Sequence, residues 1–222
     1  MRLARQVGLS VAKVDYRCVR GRAFLLVERY DRIAGNGRVR RLHQEDFCQA
    51  LGFPSSRKYA ADGGPVLRDC FRLLRSSATR PAREVLKLFD AAIFNLIIGN
   101  ADAHAKNYSL LYRDDAIEMA PLYDLLATVA YPDLSPKLAM KIAGRATLDA
   151  LKATDWGRFA DESGLNQAFV KRRANALADN VLQAIAQVEA GFDLSEGALK
   201  KIREYARLTA ERAAKLARIT GR

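Results

Sequence analysis

Gly99-Asn-Ala-Asp-Ala-His-Ala-Lys-Asn107 is the chemically densest run in this chain. Five of its nine side chains can act as base, ligand or hydrogen-bond donor. It follows directly on an apolar stretch that opens at Pro81, a residue suited to the first turn of a helix. Val85, Leu88, Phe89, Ala92, Ile93, Leu96 and Ile97 recur there at helical spacing, and Gly99-Asn100 is the chemistry of a helix stop. Beyond the loop, residues 108–112 and 116–119 read as a hairpin across Asp114-Asp115. Asp124 follows in Ala120-Pro-Leu-Tyr-Asp-Leu125.

Upstream, the pattern is strand-like. Residues 1–7 read as the end of a helix stopped by Gly8. Alternation then predicts strands over 11–19 and 23–30, joined near Arg20-Gly21-Arg22. Ala34-Gly-Asn-Gly37 signals a turn, with a short strand over 38–42 behind it. Residues 43–51 read as a short helix, since Phe47, Ala50 and Leu51 share a face and Gly52-Phe-Pro54 stops it. Helical spacing returns over 66–74. After Pro136 the chain reads as helical with short breaks, over 155–162, 166–189 and 195–219. The fold expected is α+β: a small antiparallel sheet packed on a larger helical lobe, with the polar loop at its centre.

Composition narrows the function. At 222 residues and 50% hydrophobic, the chain can build one large domain or two small ones, which excludes general disorder. The longest apolar run, residues 89–98, is interrupted by Asp90 and Asn95 and falls short of a membrane span. No secretory h-region follows the charged start, so no membrane partner is expected. Cys18, Cys48 and Cys70 are odd in number and lack CxxC spacing, which argues against a disulfide framework or a thiolate metal site. Buried, reduced thiols in a cytoplasmic protein are the expectation. The net charge of +12 suits a polyanionic partner, but it is spread along the chain.

Taken singly, Asp102 reads as a turn residue, His104 as a loop hydrogen-bonder, Lys106 as a solvated charge and Asp124 as a loop acid. Their order changes the reading. Asp102 and Asn107 stand five positions apart, the spacing of the protein-kinase catalytic loop, in which Asp is the base and Asn a magnesium ligand. Asp124, returned by the hairpin, offers a second hard oxygen donor. Phosphoryl transfer asks for positioning and charge neutralisation, which this set supplies.

With these motifs in place, the chain resembles the HipA-like serine/threonine kinases, toxin components of bacterial toxin–antitoxin modules. The matching stretches are Leu26-Val-Glu-Arg-Tyr-Asp-Arg32, Arg41-Leu-His-Gln-Glu-Asp-Phe-Cys-Gln-Ala-Leu-Gly52, Asn95-Leu-Ile-Ile-Gly-Asn-Ala-Asp-Ala-His-Ala-Lys-Asn-Tyr-Ser109 and Met119-Ala-Pro-Leu-Tyr-Asp124. The resemblance implies a protein-kinase-like fold, with residues 1–42 a remnant of the amino-terminal lobe and hinge and 43–222 the helical lobe. It implies ATP and Mg2+ as cofactors, Asp102 as the catalytic base and Lys106 as a charge on the transferred phosphate. Asn107 and Asp124 would be metal ligands, His104 part of the nucleotide-facing loop, and Glu28 and Tyr30 the hinge that holds adenine. The partners implied are a protein substrate such as a tRNA synthetase, and a cognate antitoxin that carries the kinase to DNA. Kinases of this family place a Gly-rich loop and a phosphate-contacting Lys ahead of the first helix seen here. The chain therefore reads as a carboxy-terminal part, whether truncated product, fragment or half of a split protein. In the last case a separate amino-terminal lobe polypeptide is a further partner. A non-catalytic antitoxin- or nucleic-acid-binding module, and a small-molecule phosphotransferase on the same scaffold, stay open as alternatives.

Overall fold

The computed structural model describes residues 1–192 and 194–221. A short helix α1 (Arg2–Gln6) leads into two ribbons, β1 (Val14–Val19) with β2 (Arg22–Val27), and β3 (Arg32–Gly35) with β4 (Arg38–Arg41). Both turn through two residues of positive φ, Arg20-Gly21 (50° and 74°) and Asn36-Gly37 (50° and 70°), the backbone that two-residue hairpins need. β1 and β2 pair antiparallel in the register Val14↔Val27.

Next come β5 (His43–Asp46) and α2 (Phe47–Ala50), where a single helix over 43–51 is expected from the sequence. The reason is a capping box. The Asp46 carboxylate accepts from the Gln49 amide at 2.9 Å, and the Gln49 side chain accepts from the Asp46 amide at 3.0 Å. The helix therefore starts at 47, and the residues before it are released to pair with β6. β5, β6 (Ser109–Arg113) and β7 (Ala116–Met119) form one three-stranded antiparallel sheet. The single small sheet expected is thus three separate sheets, two of them two-stranded ribbons.

Helices α3 (Leu67–Ser77), α4 (Pro81–Ile98), α5 (Trp156–Ser163), α6 (Gln167–Ala190) and α7 (Glu196–Thr220) make the rest. Between β7 and α5 the chain is irregular, with only short 3₁₀ turns, so the helical reading directly after Pro136 is corrected: helix resumes at Trp156. α4 is the core helix, buried all round over residues 91–98 and charged on one face before that: Leu88, Phe89, Ile93 and Ile97 are fully buried. It packs against α3, α6, α7 and β7. Phe89 stacks on Phe159 of α5 at 5.5 Å, with Trp156 and Phe71 edge-on to the same ring. Cys48 and Cys70 are buried and Cys18 is exposed. No helix among the described residues is long and apolar enough to cross a membrane. The architecture is α+β and kinase-like.

Candidate functional site

The loop is fastened at the carboxyl end of α4. Gly99 takes a left-handed conformation (φ 72°), and a Cβ there would stand 2.2 Å from the Val129 side chain. Arg212 of α7 reaches the last turn of α4. Its Nε donates to the Ile97 carbonyl at 3.1 Å and its Nη2 to the Leu96 carbonyl at 2.8 Å. A cation on these orphan carbonyls is favourable for the helix dipole, and burial lowers its pKa from the ordinary arginine value. Thr128 Oγ1 donates to the Gly99 carbonyl at 3.0 Å and accepts from the Ala101 amide at 2.7 Å.

Two asparagines carry the fastening across to Asp124. Asn95 donates to the Tyr108 hydroxyl and accepts from Asn100, both at 3.0 Å. Asn100 also donates to the Asp124 carbonyl at 3.1 Å. Asp124 is exposed and holds a positive φ of 56°, a strained setting for a non-glycine residue that the surrounding bonds maintain.

Asn107 and Asp124 meet directly: Asn107 Nδ2 donates to Asp124 Oδ2 at 2.5 Å. Asn107 Oδ1 accepts from the His104 amide at 3.0 Å, which closes the 3₁₀ turn Ala105–Asn107 from inside. Asp102 Oδ1 accepts from the Tyr59 hydroxyl at 2.9 Å. His104 is 6% exposed, and its Nδ1 has no hydrogen-bond partner. Burial lowers its pKa, partly countered by the Asp102 carboxylate, so the neutral imidazole is favoured. The Tyr59 hydroxyl raises the pKa of Lys58, and the Asp102 and Asp124 charges add smaller effects in the same direction.

The other expected residues are more scattered. Lys106 is half-buried and its charge acts on the Cys48 thiol. Its carbonyl accepts from the Tyr123 hydroxyl at 2.8 Å. Tyr30 stacks on Tyr123 at 6.1 Å, which ties the segment after β2 to the residue before Asp124. Glu28 is exposed. Its carboxylate pairs with Lys13 at 3.3 Å and its amide donates to the Lys13 carbonyl. Lys58 and Tyr59 carried no signal in the sequence reading, because they reach the loop only through the fold. Asn95 did: an amide on the apolar face of a core helix needs a partner.

The donor set fits a hard cation. Asp124 gives Asn107 only one of its carboxylate oxygens, Oδ2, and the Asn107 amide oxygen has a second lone pair. Magnesium is held by one or two carboxylates together with phosphate oxygens and water. Among the described residues there is no cluster of three His, Cys, Asp or Glu, so an all-protein cage is not what this site offers.

Comparison with known proteins places this geometry. Residues 1–188 match the family model of the HipA-like C-terminal domain. The chain is 58% identical over 189 residues to Y4mE of Sinorhizobium fredii, covering 85% of this chain and 45% of that protein. It is 37% identical over 200 residues to the serine/threonine-protein kinase toxin HipA of Shewanella oneidensis, covering 85% and 46%. The chain thus spans about half the length of the curated relatives it matches. A solved complex of Shewanella oneidensis HipA, HipB and operator DNA superposes with a TM-score of 0.89 at 33% identity, over 96% of this chain and 53% of that one. The Helicobacter pylori proinflammatory kinase CtkA shares the fold at 12% identity, with a TM-score of 0.58 over 99% of this chain and 78% of that one. The chain belongs to the HipA-like C-terminal domain family, a family of kinase-like proteins.

Proposed function

We propose that this chain carries the acid and metal half of an ATP-dependent protein serine/threonine kinase site. The observation that carries the reading is the bond between Asn107 and Asp124, which joins the loop that carries Asp102 to the acid returned by the hairpin. Asp102 is the general base. The acceptor hydroxyl oxygen bonds to the γ-phosphorus, the bond from that phosphorus to the β–γ bridging oxygen breaks, ADP leaves, and the hydroxyl proton passes to Asp102. Asn107 and Asp124 would hold Mg2+, whose chemistry when bound is to neutralise charge on the phosphate oxygens. Asn107 orients Asp124, and Asn95 and Asn100 hold the backbone that presents it. Neutral His104 packs edge-on against Tyr59, whose hydroxyl bonds the base. Tyr30 stacks on Tyr123, and Glu28 and Tyr30 would form the adenine edge, with residues 1–42 the remnant of the smaller lobe.

The 222 residues contain no Gly-rich phosphate loop with its Lys. Full transfer then depends on a segment that supplies one, in cis or as a second polypeptide. A cognate antitoxin is the partner we propose for the assembled protein, since the HipA relative is solved with HipB and operator DNA.

Nucleotide binding tests the metal half by itself. A fluorescent ATP analogue titrated onto the chain is expected to bind weakly and only with Mg2+. Asp124→Asn and Asn107→Ala should each raise Kd about 10-fold, the size of change expected when a ligand or its orienting partner is removed. Metal-independent binding, unchanged in both variants, contradicts the assignment.

A further inference from the structure

Tyr59 belongs to a loop that fixes its own backbone. The Tyr59 carbonyl accepts from the Asp62 amide at 3.0 Å and from the Gly64 amide at 2.9 Å. Gly63 turns the chain with a φ of 76°. At Gly64 a Cβ would stand 2.2 Å from the Arg57 carbonyl oxygen, so the loop closes more tightly than any side chain there permits. The phenol is held as firmly. Its ring lies edge-on to His104 at 5.2 Å, and the Lys58 ammonium sits 4.7 Å from its centroid. The hydroxyl ends on Asp102 Oδ1 at 2.9 Å.

That last contact has the geometry a substrate hydroxyl makes with a general base: an O–H donated to a carboxylate oxygen within about 2.6–3.2 Å. A carboxylate has two oxygens with two lone pairs each, so the Tyr59 hydroxyl fills one acceptor direction on Oδ1 and is met first by any hydroxyl that approaches along it. The buried His104 Nδ1 without a partner, directly against the Tyr59 ring, marks the same place as one where the present arrangement leaves hydrogen-bonding capacity unused.

We propose that Tyr59 occupies the acceptor-hydroxyl position on Asp102, so that an incoming hydroxyl competes with it and residues 54–64 form the acceptor-side wall of the site. The proposal rests on the reading of Asp102 as the base. Tyr59 is a positioning and selectivity residue: it touches the base, and an acceptor that uses the same direction displaces the phenol.

Water is the acceptor that tests this without knowledge of the substrate. In hydrolysis of Mg·ATP the water oxygen bonds to the γ-phosphorus, ADP leaves, and the water proton passes to Asp102. With γ-labelled ATP, the 222-residue chain and an added Gly-rich amino-terminal segment from a HipA-like relative, Tyr59→Phe keeps the ring and removes the competing hydroxyl. Phosphate release is expected to rise about 10-fold, the scale of freeing a charged group from one hydrogen bond, with the apparent affinity for Mg·ATP unchanged. Tyr59→Leu should act in the same direction and guards against a folding defect in the first variant. Combining Tyr59→Phe with Asp102→Asn should cancel the gain. Hydrolysis in both Tyr59 variants no faster than in the parent, undetectable release included, overturns the proposal. A gain that survives Asp102→Asn shows that Asp102 is not the base, a separate failure that removes the underlying reading as well.

Discussion

The loop after α4 and the β1–β2 ribbon are built in opposite ways. Nearly every polar group of the loop is answered within the chain: the Gly99 carbonyl and Ala101 amide by Thr128, Asp102 by Tyr59, Asn107 by Asp124, and the end of α4 by Arg212. The ribbon's backbone is paired, but its side chains are not packed. Pairing Val14↔Val27, Tyr16↔Leu25 and Cys18↔Ala23 puts six apolar residues on one face, yet Leu25 is 66% exposed. Between that face and Ile185, Phe192 and Ile202 lies an apolar groove of about 500 Å³. The polar loop is therefore closed by bonds within this chain, whereas the ribbon leaves an apolar face open to a groove.

The contrast makes graded predictions. The largest effect belongs to the core beneath the loop: Phe89→Ala removes the ring stacked on Phe159 and should cost about 3–5 kcal/mol in urea unfolding. A loss under about 1 kcal/mol would mean that α4 is not the helix that holds the site. Thr128→Val is next. It leaves the buried Ala101 amide without its partner, removes one of the two bonds to the Gly99 carbonyl (the Val129 amide keeps the other), and should cost about 1–3 kcal/mol. Nucleotide binding should weaken in parallel, because the same bonds aim Asp102.

Asp31 stands at the junction of the two regions. It is 3% exposed, Arg29 grips both its oxygens at 2.7 and 2.6 Å, and Arg32 adds a further contact. The Arg29 bond, ahead of the remaining charges, holds its pKa below the ordinary carboxylate value. A depressed folded pKa contributes stability above the unfolded value of about 3.9 and loses it as the pH falls further. Asp31→Asn should therefore flatten the acid limb of the stability curve below about pH 4; an unchanged limb would place the acid sensitivity elsewhere. The smallest effect is expected in the ribbon. Leu25→Ser should shift stability by no more than about 0.5 kcal/mol, and amide exchange should be fast in β1 and β2 and slow in α4. Strong protection of β1 and β2 in the isolated chain would erase the contrast.

What was legible in the sequence follows the same division. α4, its Gly99 stop, the β6–β7 hairpin and the three carboxy-terminal helices could be read because periodicity and turn chemistry act locally. β5 could not, since His43–Asp46 becomes a strand only by pairing with β6, more than sixty residues away. The Asp46-x-x-Gln49 box was the missed local clue. In the site, Asn107 and Asp124 could be paired from their order, because a short hairpin returns the chain to the loop. Lys58 and Tyr59 could not: nothing in their own neighbourhood marks them, and they reach Asp102 from a loop forty-three residues upstream.

The most direct test of the central claim is phosphate transfer from γ-labelled ATP to a serine-containing protein acceptor. It should be measured with the chain alone, with a Gly-rich amino-terminal segment from a HipA-like relative added, and with that mixture carrying Asp102→Asn. Little transfer is expected from the chain alone, clear Mg2+-dependent transfer from the mixture, and a fall of about 100- to 10,000-fold on Asp102→Asn. Transfer that survives Asp102→Asn at the level of the parent mixture would contradict the assignment of this loop as a kinase site.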